Sequence, residues 1–137
     1  MKHLSAADAF FFSFCSFHSE NRGKSFQESS IINNKEENRM NASIAIQVLP
    51  KVSEEEELIR IVDSVIDYIK STGLNYSVGP FETTIEGDYD ELMDIVKECQ
   101  HVAYRAGCKE MSVYVKVAYK PEGDVLTIEK KVSKHHQ

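Results

Sequence analysis

The chain has 137 residues, 42% of them apolar and 28% charged, which suits a single soluble domain with one modest core. A net charge of -6 and a pI near 5.4 argue against a nucleic-acid or membrane-surface protein, which would show a basic stripe, and favour a neutral or cationic small ligand. No apolar run reaches the roughly 18 residues of a membrane span. Cys15, Cys99 and Cys108 lack the spacing of a disulfide framework or a zinc site, so reduced thiols in a cytosolic protein are the simple reading.

The chain changes character near Met40. Phe10, Phe11, Phe12, Phe14, Phe17 and Phe26 all precede it, whereas every tyrosine follows it. Residues 1–39 carry five basic and five acidic side chains, so the whole negative balance belongs to residues 40–137. Their Ser/Asn/Glu-rich part has neither helix nor strand period and reads as disordered. Lys2 and His3 before the AFFFSFCSF run suit a signal peptide, but the run is short and no small-residue cleavage site follows. A third reading, which we favour, puts the true start at Met40. Lys35-Glu36-Glu37 can be encoded as AAG-GAG-GAA, which contains a ribosome-binding sequence a short way upstream. Peptides from residues 1–39 in the product of the native gene would sink that reading. The expected organisation is a disordered extension over 1–39, upstream of the true start on the favoured reading, and one domain over 40–137.

In SIAIQVLP (43–50), Ile44, Ile46 and Val48 alternate with Ala45, Gln47 and Leu49, the period of a strand with two distinct faces, and Pro50 ends it. Ser53 and Glu56 form a capping-box pattern before a helix with Leu58, Val62, Val65, Ile66 and Ile69 on one face and Gly73 as its stop. The EEEE run at its start complements the helix dipole and reads as a solvated cap, not an anionic site. NYSVGPFE and TTIEGD read as two short strands joined near Gly79-Pro80. Asp88 and Glu91 make a second capping box, before a helix that turns Leu92, Ile95, Val96, Cys99, Val102, Ala103 and Ala106 inward and stops at Gly107. MSVYVKVAY (111–119) is the last strand, PEGD breaks it, and LTIEKKVSKH adds a short terminal helix.

The order β-α-β-β-α-β is the split βαβ arrangement of the ferredoxin-like α+β sandwich. Both helices then cover one face of a four-stranded antiparallel sheet whose strands lie in the order four, one, three, two. Ile44, Ile46, Val48, Ile85, Val113, Val115 and Val117 should face the helices. Ala45, Gln47, Leu49, Thr84, Glu86, Ser112, Tyr114 and Lys116 are left on the open face. That mixture suits a small polar ligand, through a carboxylate, amides, hydroxyls and an aromatic ring. It suits equally a sheet-to-sheet oligomer interface with Glu86 paired to Lys116, and the two can coexist. Thr84 and Glu86 stand where a strand would normally prefer Val or Ile, so local structure does not account for them.

SIAIQVLP, GLNYSVGPFETTIEGDYDELM and AGCKEMSVYVKVAY together resemble the thiamine-binding protein family over residues 41–134, most specifically in Val78-Gly79-Pro80 followed by Thr83-Thr84-Ile85-Glu86-Gly87-Asp88. The resemblance implies a ferredoxin-like cytosolic homo-oligomer, commonly a tetramer made by packing sheets, that binds thiamine or its hydroxymethylpyrimidine moiety without catalysis, cofactor or metal. Members often carry Gly where this chain has Glu82, and Arg after the last strand where it has Lys120-Pro121. On side-chain chemistry, Glu86 and Glu82 would balance the thiazolium charge or accept the pyrimidine amino group. Tyr114 or Phe81 would stack on a ring, and Gln47 and Thr84 would bond the pyrimidine edge. Phe81 has an alternative as a hairpin plug and Tyr114 as an interface residue. Thiamine or hydroxymethylpyrimidine is thus the expected ligand and copies of the chain the expected partners, with neither nucleic acid nor membrane.

An enzyme would need an assembled acid, base or nucleophile. Cys99 and His101 sit two apart on a helix and so point to different faces, which defeats a Cys-His pair and a metal site with Cys108. No phosphate loop, GxSxG or HExxH occurs. The competing class is a structural or regulatory oligomer of the same fold, without a small ligand or with a different one.

Overall fold

A computed structural model of the chain describes residues 39–136. The readings of residues 1–39 as a disordered extension, a signal peptide or a segment upstream of the true start concern residues outside the described ones, Arg39 apart. The elements are β1 (Ala42–Pro50), α1 (Glu55–Ser71), β2 (Asn75–Val78), β3 (Thr83–Gly87), α2 (Tyr89–Arg105), β4 (Met111–Tyr119) and the short α3 (Ile128–Val132), which runs into a 3-10 turn at Ser133–His135. All strand pairs are antiparallel and the sheet order is β2-β3-β1-β4, the ferredoxin-like arrangement expected from the element order.

The register makes the two faces of the sheet. Ile44 stands opposite Ile85 on β3 and Val117 on β4, and Ile46 stands opposite Val115. Ala42, Ile44, Ile46, Val48 and Ile85 join Ile61, Val65 and Ile69 of α1 and Leu92, Ile95, Val96, Cys99 and Ala103 of α2 in one core, so both helices lie on this face. Each fully buried Ile or Leu contributes about 1.5–3 kcal/mol through the water it leaves. Val117 shares the face, yet it is 47% exposed because β4 is an edge strand that outruns the helical cover.

Two details of α1 depart from the sequence expectation. The helix begins at Glu55 with Glu54 in the N-cap position, and no side chain caps it, so the Ser53–Glu56 box is not formed. Glu57, three residues after that N-cap, bonds Arg60 instead, with Arg60 Nε donating to its Oε2 at 3.0 Å. The buried stripe is Ile61, Val65 and Ile69, with Val62 and Ile66 half-buried. Leu58 lies on the same helical face, seven residues before Val65, yet in the first turn of the helix it is exposed.

The second helix follows expectation. Asp88 Oδ1 accepts from the N–H groups of Asp90 at 3.0 Å and Glu91 at 3.5 Å, and the buried residues are those of the apolar period. Val102 and Ala106 pack at its margin. Gly73 (φ 74°) and Gly107 (φ 108°) end α1 and α2 in the left-handed conformation that costs other residues a steric penalty.

Candidate functional site on the open sheet face

The face away from α1 and α2 is ruled by cross-strand rows. Asn75, Glu86, Ser43 and Ala118 form one row across β2, β3, β1 and β4, and Ser77, Thr84, Ala45 and Lys116 form the next. Beyond the end of β3, Gln47 stands opposite Tyr114 and Leu49 opposite Ser112. Sequence alternation placed Ala45, Gln47, Leu49, Thr84, Glu86, Ser112, Tyr114 and Lys116 on this face. What the register adds is who sits beside whom.

The two ends of the face differ in kind. At the Glu86 end the chain covers its own sheet: Lys120 N–H donates to Asn41 O and Val125 N–H to Met40 O, each at 2.9 Å, which brings the C-terminal segment back along β1. Ile128 N–H then donates to Glu86 Oε2 at 2.6 Å, while Asn75 Nδ2 donates to Oε1 at 2.5 Å. Glu86 is 2% exposed and Ser43 4%. A buried carboxylate is costly unless hydrogen-bonded, and here each oxygen has a neutral donor. The row that holds it was not read as a unit from sequence, although an Asn at the start of a strand two residues before Ser77 was the available signal once the hairpin register was known.

At the other end the face is open. Glu82 Oε1 accepts from Lys116 Nζ at 2.5 Å, so within one chain Lys116 pairs with Glu82, whereas the Glu86–Lys116 pair of the interface reading would join two copies. The reason is position: the Glu86 row lies under the C-terminal segment, whereas Lys116 has the small Ala45 beside it on β1 and reaches across to the hairpin. Gly79 N–H donates to Glu82 O at 2.9 Å and closes the loop that carries Pro80 and Phe81. On the helix side of the sheet, between this loop, the end of β1 and α1, lies a half-open cleft of about 90 Å³ whose lining includes the core residues Ile46, Val48 and Val65 together with Gln47, Phe81 and Glu82. Phe81 is 78% exposed, so it is not a hairpin plug; it stands at the rim of the cleft. Tyr114 is 63% exposed beside Gln47, and Thr84 is half-buried between Ser77 and Ala45.

The six expected ligand residues are therefore divided. Gln47, Thr84 and Tyr114 stand on the open face with Glu82 reaching Lys116 beside them, whereas Phe81 stands at the rim of the cleft against α1, which Gln47 and Glu82 also border. Glu86 stands apart, shut beneath the C-terminal segment. Elsewhere, Cys99 is buried in the core while His101 is exposed on α2 with its Nδ1 3.2 Å from Glu98 Oε2. Burial pushes the Cys99 thiol up to about 12, the opposite of an activated nucleophile. Among the described residues no group of three His, Cys, Asp or Glu side chains is placed to hold a metal ion.

With this geometry in hand, the comparisons with known proteins are specific. The family model described as thiamine-binding protein matches residues 44–136. The chain belongs to the thiamine-binding protein family. A UPF0045 protein of Clostridium perfringens is 42% identical over 93 residues, which covers 68% of this chain and 95% of that one. Among solved structures, a candidate thiamine biosynthesis/salvage protein of Thermotoga maritima aligns with a TM-score of 0.62 at 38% identity, over 69% of this chain and 98% of that chain. A domain of unknown function from Bacillus cereus aligns with a TM-score of 0.63 at 33% identity, over 72% and 92%. The family match runs from Ile44 in β1 to the C-terminal turn, so all of the open face but Ser43 lies within it.

Proposed function

We propose that the protein binds thiamine or its hydroxymethylpyrimidine moiety without catalysis, as a cytosolic homo-oligomer that needs no cofactor and serves thiamine salvage, transport or sensing. The observation that carries this reading is the placing of Gln47, Thr84 and Tyr114 on the open sheet face of a family member, with Glu82 paired to Lys116 beside them and Phe81 exposed at the hairpin. In this reading Glu82 balances a thiazolium charge or accepts an amino group, releasing Lys116 at little cost because the pair is solvated. Tyr114 or Phe81 stacks on a ring, and Gln47 and Thr84 bond the pyrimidine edge. Glu86 joins the ligand only when the C-terminal segment moves aside. The two core thiols, Cys99 and Cys108, are unpaired, in keeping with a reducing compartment.

Calorimetric titration of the full chain with thiamine and with hydroxymethylpyrimidine tests the reading. The expected result is saturable binding that weakens about tenfold in Gln47→Ala, the loss of roughly one good hydrogen bond. No heat with either compound would overturn it. A second reading, a structural or regulatory oligomer that buries this face without a ligand, is favoured by the exposed Leu49 and Tyr114. It predicts that Tyr114→Glu splits the assembly in sedimentation while neither compound raises the thermal midpoint of the parent chain.

A further inference from the structure

The bond between Ile128 and Glu86 joins two unequal partners. Glu86 sits on β3 in the middle of the sheet, buried and held from its other oxygen by Asn75. The segment that covers it is lightly fastened: neither α3 nor the following turn buries any residue, Leu126 is 65% exposed, and only Val125, Thr127, Ile128 and Val132 are half-buried. Thr127 Oγ1 caps α3 by accepting from Lys130 N–H at 3.2 Å, so that donor is satisfied within the segment and the Ile128 N–H is the first-turn donor that reaches the sheet. An element with few buried apolar contacts opens at lower free energy than the core on which it rests.

We propose that residues 125–135 form a strap, latched by the Ile128 amide, which opens as a unit and gates access to the Glu86 carboxylate. The inference rests on the preceding reading of the open face and deepens it. The Ile128 N–H occupies the Oε2 acceptor that a ligand amino group would use, so the strap is an internal stand-in for that donor. The ligand's apparent affinity is then reduced by the fraction of molecules in which the strap is closed. Recognition of the amino group and release of the C-terminus become one event, which couples occupancy of the sheet to the position of Lys130, Lys131 and Lys134 on the strap.

The local backbone permits a selective test. Thr127 lies at φ −68°, ψ 156°, the region that a residue before proline prefers, and Ile128 is the first helical residue, where proline is well tolerated. Ile128→Pro deletes the latch N–H, and Ile128→Ala retains it while removing the same side chain. In the full chain, amide hydrogen exchange over residues 126–135 is expected to be at least tenfold faster in the proline variant than in the alanine variant, with β1, β3 and β4 unchanged. Coupling of a small amine to Glu86 by a water-soluble carbodiimide, read by mass spectrometry, should rise with it. Hydroxymethylpyrimidine should bind the proline variant at least threefold more tightly than the alanine variant. Equal exchange and equal Glu86 labelling in the two variants would overturn the strap, as would exchange that spreads to the strands. Equal pyrimidine affinity with raised labelling would overturn the gating. Absence of heat in every variant would sink the pyrimidine reading alone, because exchange and carbodiimide labelling still decide the strap.

Discussion

Glu86 on β3 and Glu82 in the loop just before it are four residues apart, yet their surroundings assign them different energetics. Glu86 is buried with two neutral donors, so Glu86→Gln retains one acceptor and sets an amide NH2 against the other donor, leaving a buried polar group unpaired. The expected cost is about 1–3 kcal/mol by chemical denaturation. Glu82→Gln removes only a solvated ion pair with Lys116 and should cost less than about 1 kcal/mol. Equal costs would show that Glu86 does not anchor the C-terminal segment. The same scale yields a pH dependence. Cys99 is neutral and buried, with its pKa raised to about 12, while an unfolded thiol ionises near about 8.5. Its contribution is complete below the unfolded value and is lost as pH rises toward the folded one, because only the unfolded chain releases the proton. Urea midpoints measured from pH 8 to 11 should therefore fall more steeply in the parent chain than in Cys99→Ala.

At the scale of the element, the two long helices begin by different means. Asp88 accepts two backbone N–H bonds at the start of α2, so Asp88→Ala should cost about 0.5–2 kcal/mol. Ser53 lies outside α1 and caps nothing, and Ser53→Ala should change stability by less than about 0.5 kcal/mol. Parallel denaturation curves for the two substitutions check both statements, and a large loss in Ser53→Ala would mean that the box does form. Local pattern alone cannot separate these cases: S-x-x-E and D-x-x-E have the same spacing. What differs is how the preceding chain enters. Lys51 N–H is tied to Glu110 O after β1, and four consecutive glutamates offer several registers in which acidic side chains meet the helix dipole. Asp88 follows β3 directly, and Tyr89 N–H is further held by Asn41 Oδ1 at 2.8 Å, which leaves a single start.

For the whole molecule, a ligand bound to the native state alone stabilises it by mass action, so thiamine or hydroxymethylpyrimidine at one hundred times its Kd should raise stability by about 2.7 kcal/mol. A midpoint that does not move in a thermal scan would speak against the binding reading. The element order, the strand order, the two faces of β1 and the stops at Gly73 and Gly107 were all legible from the sequence by itself. The signals for them act over short distances: a period of two or of about 3.6, a cap within three residues, a glycine that alone tolerates the left-handed turn. The assignment of Gln47, Thr84, Glu86, Tyr114 and Lys116 to one face followed from the same alternation. Only the tertiary structure decided which carboxylate is buried, which one meets Lys116, and that residues 120–135 return over the sheet. Those facts join Glu86 to Ile128 and Glu82 to Lys116, pairs 42 and 34 residues apart. Contacts at that separation depend on hairpin register and on where the last segment docks, and no periodicity within a single element encodes either.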